Sequence, residues 1–158
     1  MPGLGYLSTT GQALSLLLVG LLAGSMYGIW FGYDITRYSP ASFVEVHQGA
    51  VRGLNTLLPL MGLAAIVVVV VLAVLARQQP TVLMLYGAAA LGLVAAGLIT
   101  RLCNQPINDV VMGWSADALP ADWETLRNSW WSWHAARLGA TILALLLLIA
   151  AVFTDRSA

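Results

Sequence analysis

Apolar and polar positions fall into blocks along this chain. Four intervals, 1–33, 53–76, 78–100 and 138–154, contain no Asp, Glu, Lys or Arg, and most polar residues lie in 33–55 and 101–137. About 20 apolar residues cross a bilayer as a helix. The first three intervals reach that length, and the last does so once Trp130 to Ala136 are added. The pattern predicts an all-α fold, an integral membrane four-helix bundle forming one domain over 1–158. Its spans fall at about 12–32, 55–76, 81–102 and 130–153. An even number of spans puts both termini at one end and the two long loops together at the other.

Local signals refine this outline. Gly20, Gly24, Gly28 and Gly32 recur every fourth residue and are expected to form a packing seam on the first span. Ser39-Pro40 reads as an N-cap followed by a first-turn proline, opening a first-loop helix over about 40–54 that runs on into the second span. That helix would carry Phe43, His47, Ala50, Leu54 and Leu58 on one stripe and Glu45, Gln48, Arg52, Asn55 and Pro59 on the other. "RQQPT" is a tight turn between spans two and three. Arg101, Asn104 and Asn108 share a helical face, with Pro106 bending or ending that helix. The final helix is expected over about 121–153, partly outside the membrane.

Composition agrees: 59% of the 158 residues are hydrophobic and 9% charged, and the mean hydropathy is +0.83. Soluble domains carry about a quarter charged residues. All seven basic side chains are arginine, the net charge is zero, and no basic cluster exists, so nucleic acid has no support as a partner. Cys103 is the only cysteine, which excludes a Cys-x-x-Cys redox centre and a thiolate zinc cluster. No basic residue precedes the first apolar run, so that run is expected to be retained as a span. The expected location is a bacterial plasma membrane. A literal arginine count puts the long loops in the cytoplasm, but arginines sequestered in a site do not report orientation, and the termini are expected there instead.

The polar residues converge at the long-loop end. On the last helix Arg127, Trp131, His134, Arg137 and Thr141 fall near one face. Snorkelling or ion pairing with Asp34, Glu45 or Asp109 is the plainer account of Arg101 and Arg137. An interfacial belt is the plainer account of Trp130 and Trp133. His47 and His134 stand on different elements that meet at this end, as general bases or as ligands of copper, iron or haem. No His-x-x-His, His-Glu-x-x-His or Glu-x-x-His motif accompanies them.

"RLCNQPINDVVMGW" followed by "DWETLRNSWWSWHAARLGA" resembles the anthrone oxygenase family of small four-span membrane proteins. Asn104, Pro106, Asn108, Trp114, Asp122-Trp123, Arg127, Trp131, His134 and Arg137 carry the resemblance, joined in the first loop by Gln48, Asn55 and Pro59. It implies oxidation of an anthrone to an anthraquinone by molecular oxygen, either with no cofactor beyond oxygen or with copper, iron or haem. Such chemistry needs a base, a partner for the developing enolate oxygen and a flat apolar slot. His134 or His47 is the candidate base. Arg137 or Arg127, with Asn104 and Asn108, are the candidate oxyanion partners. Trp131 is the candidate slot wall, and Gln48, Arg101 and Asn55 are candidate binding groups.

The expected partners are a lipophilic small molecule and membrane lipid, with a homo-oligomer formed through Gly24, Gly28 and Gly32. The alternative from another class is a non-enzymatic accessory protein that holds a lipid, a quinone or a partner subunit.

Overall fold

In hydrocarbon a backbone must satisfy its own hydrogen bonds, so long apolar runs become helices. The computed structural model describes residues 2–156, with side chains from residue 5 onward; residues 1, 157 and 158 of the expected domain lie outside the described residues. The elements are α1 (Pro2–Gly32), a 3-10 turn (Ile35–Arg37), α2 (Pro40–Leu54), α3 (Leu57–Leu75), α4 (Pro80–Ile99), a π turn (Thr100–Asn104), α5 (Gln105–Met112) and α6 (Trp123–Thr154). Among the described residues four helical rods are long and apolar enough to cross a membrane: Gly5–Arg37, Leu57–Leu75, Pro80–Met112 and Trp123–Thr154. The protein is an all-α integral membrane protein.

Around the bundle α1 touches α3, α3 touches α4, α4 touches α6 and α6 returns to α1, while α2 packs on α5 at the long-loop end. Ala65, Val69 and Leu72 of α3 join Val82, Tyr86 and Ala89 of α4 and Ala144 and Leu148 of α6 in one core. At the termini end Asp155 accepts hydrogen bonds from Gln12, Gln79 and Tyr86, tying α1, α4 and the C-terminal residues together. The outer surface is apolar: Leu60, Leu91 and Leu143 are all exposed, as lipid-facing positions should be.

Two prolines shape the long-loop end. Ser39 caps α2, its hydroxyl accepting from the Ser42 amide at 3.3 Å. The chain does not run straight from α2 into the second span; it turns at Asn55 and Thr56. Pro59 has no N–H for the Asn55 carbonyl, and its ring crowds that position. Pro106 acts differently. It neither ends nor sharply breaks its helix, because the π turn immediately before it widens the coil where the Leu102 carbonyl would lose its partner.

The glycine seam of α1 is corrected by the structure. A Cβ at Gly20, Gly24, Gly28 or Gly32 would meet nothing within 4 Å, so this stripe packs against no helix of the chain. Close approach occurs elsewhere: a Cβ at Gly92 would lie 3.1 Å from Ala144 Cβ and 3.3 Å from the Ala140 carbonyl. That glycine lets α4 and α6 touch.

Candidate functional site

A cavity of about 580 Å³ opens inside the long-loop half of the bundle, within the roughly 300–1,000 Å³ usual for small-molecule sites. Its walls are mainly apolar, from Leu22, Met26 and Ile29 of α1, Leu58 and Ile66 of α3, and Leu93 and Ala96 of α4. Polar groups enter it from three sides: Glu45, His47 and Asn55 from the α2 end, with Glu45 exposed at the rim, Thr100, Arg101, Gln105 and Asn108 from the α4–α5 rod, and Arg137 and Thr141 from α6, beside Trp130.

The His47 side is fixed by a chain of hydrogen bonds. An indole N–H can only donate, and that of Trp130 lies 2.7 Å from Asn108 Oδ1. The amide is thereby oriented, and its Nδ2 donates to Asn55 Oδ1 at 3.1 Å. The His47 Nε2 nitrogen, 3.1 Å from the same Asn108 Oδ1, must therefore carry the proton and donate it. Nδ1 is left with a lone pair and no hydrogen-bond partner among the described residues. Burial pulls the His47 pKa down to about 4; the Asn108 bond opposes this and the charge of Arg137 adds to it. The ring is neutral at pH 7.

Arg137 supplies the opposite polarity. It is 7% exposed, and among the described residues no carboxylate lies within ion-pair distance of it; the ion pairs formed are Arg37–Asp34 and Arg127–Glu124. The partners expected for Arg137 in Asp34, Glu45 or Asp109 are not used. Its Nε and Nη2 lie 3.2 and 2.8 Å from His134 Nδ1, and Nη1 donates to Thr100 Oγ1 at 3.3 Å. Each terminal nitrogen keeps a second N–H, since a guanidinium carries two on each. A buried cation with spare donors and no carboxylate at ion-pair distance favours an anionic oxygen in the cavity.

His134 is committed to holding that cation. Arginine can only donate, so His134 Nδ1 accepts, and Nε2–H donates to the Met26 carbonyl at 3.0 Å. Both nitrogens are occupied. Trp130 stands between the two histidines: its ring stacks on His134 at 5.0 Å and 6° and meets His47 edge-on at 4.9 Å.

The remaining candidates are spread around this centre. Asn104 is fully buried behind it, donating to the Trp130 carbonyl at 3.1 Å. Gln48 faces α5, where its Nε2 donates to the Val111 and Trp114 carbonyls at 3.0 Å each, so it docks α2. Arg101 is exposed at the cavity rim and donates to Gln105 at 3.0 Å; the π turn takes it off the face of Asn104 and Asn108. Arg127 lies outside the cavity, 4.7 Å over the Trp123 ring. Trp131 stacks on the far side of His134 at 6.0 Å. The cavity wall is Trp130, which the sequence assigns to the interfacial belt.

A sequence profile of the anthrone oxygenases matches residues 49–147, well over half of the chain. The protein belongs to the anthrone oxygenase family. The match runs from α2 into α6 and so takes in Asn55, Asn108, Trp130, His134 and Arg137, whereas His47 and Gln48 lie just before it. No curated protein and no solved structure matches the chain.

Among the described residues the histidine pair does not offer a metal site. His134 has no lone pair left, and no cluster of three His, Cys, Asp or Glu side chains forms among the described residues. Sequence reasoning missed Trp130, Thr100 and the Met26 carbonyl. Trp130 was findable: it stands four residues before His134 and seven before Arg137, on the axis of the buried stripe that Trp131 only flanks.

Proposed function

We propose that this protein is a membrane oxygenase that converts an acidic methylene of a flat lipophilic ketone, such as an anthrone, to a carbonyl using molecular oxygen. The observation that carries this reading is that an unprotonated His47 Nδ1 and a buried, uncompensated Arg137 line the same apolar cavity. His47 Nδ1 takes a proton from the methylene, and the charge that develops on the ketone oxygen meets the free N–H groups of Arg137. An imidazole with a pKa of about 4 is a weak base, so most of the acidification falls to Arg137. Once the enolate neutralises that guanidinium, its depression of the His47 pKa is relieved as well.

The enolate carbon then gives an electron pair to dioxygen, forming a C–O bond. The peroxide takes back the proton held by His47. Loss of the second methylene hydrogen with cleavage of the O–O bond yields the new carbonyl and one water. Substrate and dioxygen supply every atom and electron of that sum. Trp130, His134 and Asn108 position the two reacting groups, and Asn104 and Gln48 hold the frame. The partners in this reading are the lipophilic substrate and the surrounding lipid.

The test is oxygen uptake by the purified protein in lipid nanodiscs on addition of anthrone, with anthraquinone followed by absorbance. One oxygen consumed per quinone, lost in His47→Ala and in Arg137→Met, is the expected result. Tight anthrone binding with no oxygen uptake would move the protein to the holding role of an accessory binder.

A further inference from the structure

We propose that the cavity fills sideways from the bilayer, through a gap between α3 and α4 whose width is set by Gly62 and Gly97, so that substrate arrives as its neutral acid and is deprotonated only inside. This rests on the oxygenase reading for the identity of the acid, but the route is carried by the shape of the bundle.

In the termini half α3 and α4 pack into the common core. In the long-loop half Pro59, Gly62 and Leu63 of α3, Gly97 of α4 and Thr100 of the π turn line the cavity instead. Three of these residues border the outside as well: Leu63 is 59% exposed, and Pro59 and Gly97 are exposed. Residues that line a cavity and also face outward mark its mouth. A Cβ at either Gly62 or Gly97 would meet nothing within 4 Å. Neither glycine is required for helix packing, and their missing side chains are what leave the gap open.

The surface outside that gap is hydrocarbon. Leu60, Val67 and Leu98 beside it are between 54% and 60% exposed, and both glycines lie within membrane-crossing helices. Gly62 is five residues into α3, roughly 7 Å below its start at 1.5 Å per residue. Arg101, one turn above Gly97, marks where the apolar rim ends. An enolate formed in water would have to shed its hydration to cross this rim, whereas the neutral ketone is already dissolved beside it. The first charge the substrate carries is then the one it develops against Arg137. The competing route is from the loop end, past Tyr33, Glu45, Gly49 and Ala50, which line the same cavity and are likewise exposed.

The experiment follows anthrone binding under argon, where no turnover occurs, to the full chain in nanodiscs by quenching of tryptophan fluorescence, since Trp130 lines the cavity. Gly62→Phe and Gly97→Phe are compared with the parent, with thermal melting as the check on folding. Obstruction of the path lowers the association and dissociation rates together by tenfold or more and leaves the Kd within about threefold; that is the expected result. Unchanged rates in both variants overturn the proposal. So does slowing by Gly49→Phe alone, which places the path at the loop end. A raised Kd with faster dissociation also overturns it, because the new ring then occupies the ligand's place rather than its route. Oxygen uptake is read separately in air: a parent chain that binds anthrone through this gap but consumes no oxygen sinks the oxygenase reading and leaves the route standing.

Discussion

His47 donates from Nε2 to Asn108 Oδ1 across 3.1 Å, and that contact decides which nitrogen can act as a base. Asn108 cannot rotate its amide to become the donor, because Trp130 Nε1–H already occupies Oδ1 at 2.7 Å. A tryptophan on α6 thus sets the tautomer of a histidine on α2.

Replacing His47 by Ala should lower turnover by about 10²- to 10⁴-fold, the range for loss of a positioned base, with anthrone affinity kept within a few-fold. Stopped-flow quinone formation and equilibrium binding measured on the same preparation check both halves. Equal turnover in parent and variant would remove His47 from the mechanism.

Arg137→Met should lower the turnover number by about 10²- to 10³-fold, as for removal of an oxyanion donor. Arg137→Lys should recover little, since an ammonium has three N–H groups at one point, and engaging His134 and Thr100 would leave it one where the guanidinium fork keeps two. A lysine variant as fast as the parent would show that charge alone is enough.

Trp130→Phe keeps the stack on His134 and removes the N–H that orients Asn108. The loss should cost about 1 kcal/mol of stability, as for a single hydrogen bond, and lower turnover with little change in KM. The distinguishing readout is nitrogen NMR of His47: the parent should show one tautomer protonated at Nε2, and the variant a mixture.

The pH dependence follows from His47, whose pKa is about 4 in the folded protein against about 6.5 unfolded. A depressed pKa means that the unfolded chain binds the extra proton first. The contribution of His47 to stability should be level above about pH 6.5 and fall as pH drops toward 4, by at most about 1.4 kcal/mol per pH unit. For the same reason kcat/KM should be flat between roughly pH 6 and 8 and fall only on the acid side. A rate that halves near pH 6.5 would mean that His47 is not buried as described.

Glycine substitutions separate the two glycine stripes. Gly92→Val forces a side chain into Ala144 and the Ala140 carbonyl and should cost about 1–3 kcal/mol, as overpacking does. Gly28→Val has open space and should leave the melting temperature of the monomer within about 2 °C, a shift well under 1 kcal/mol. Loss of an oligomer in Gly28→Val without loss of fold would return the α1 stripe to an intermolecular role.

Much of the arrangement is legible in the sequence. Charge-free intervals give the four spans because hydrocarbon tolerates little else, and Ser39-Pro40 marks the start of α2 because cap chemistry is local. The convergence of His47, Asn108, His134 and Arg137 at one end follows from an even number of spans. Their division of labour does not follow from spacing. His134 and His47 look alike along the chain, yet one is saturated by Arg137 and Met26 while the other keeps a lone pair, because the Met26 carbonyl comes from a helix more than a hundred residues away.

The sequence by itself therefore determined what is local or solvent-driven: helices, turns, caps and the end of the bundle where polarity gathers. Only the tertiary structure decided that Trp130 rather than Trp131 walls the cavity, that Arg137 has no carboxylate at ion-pair distance, that the α1 glycines pack against no other helix of the chain and that Gly62 and Gly97 line the cavity. Each of these depends on the rotation of one helix against another. That angle is set by the sum of packing contacts across the bundle, to which no single segment of the chain holds the key.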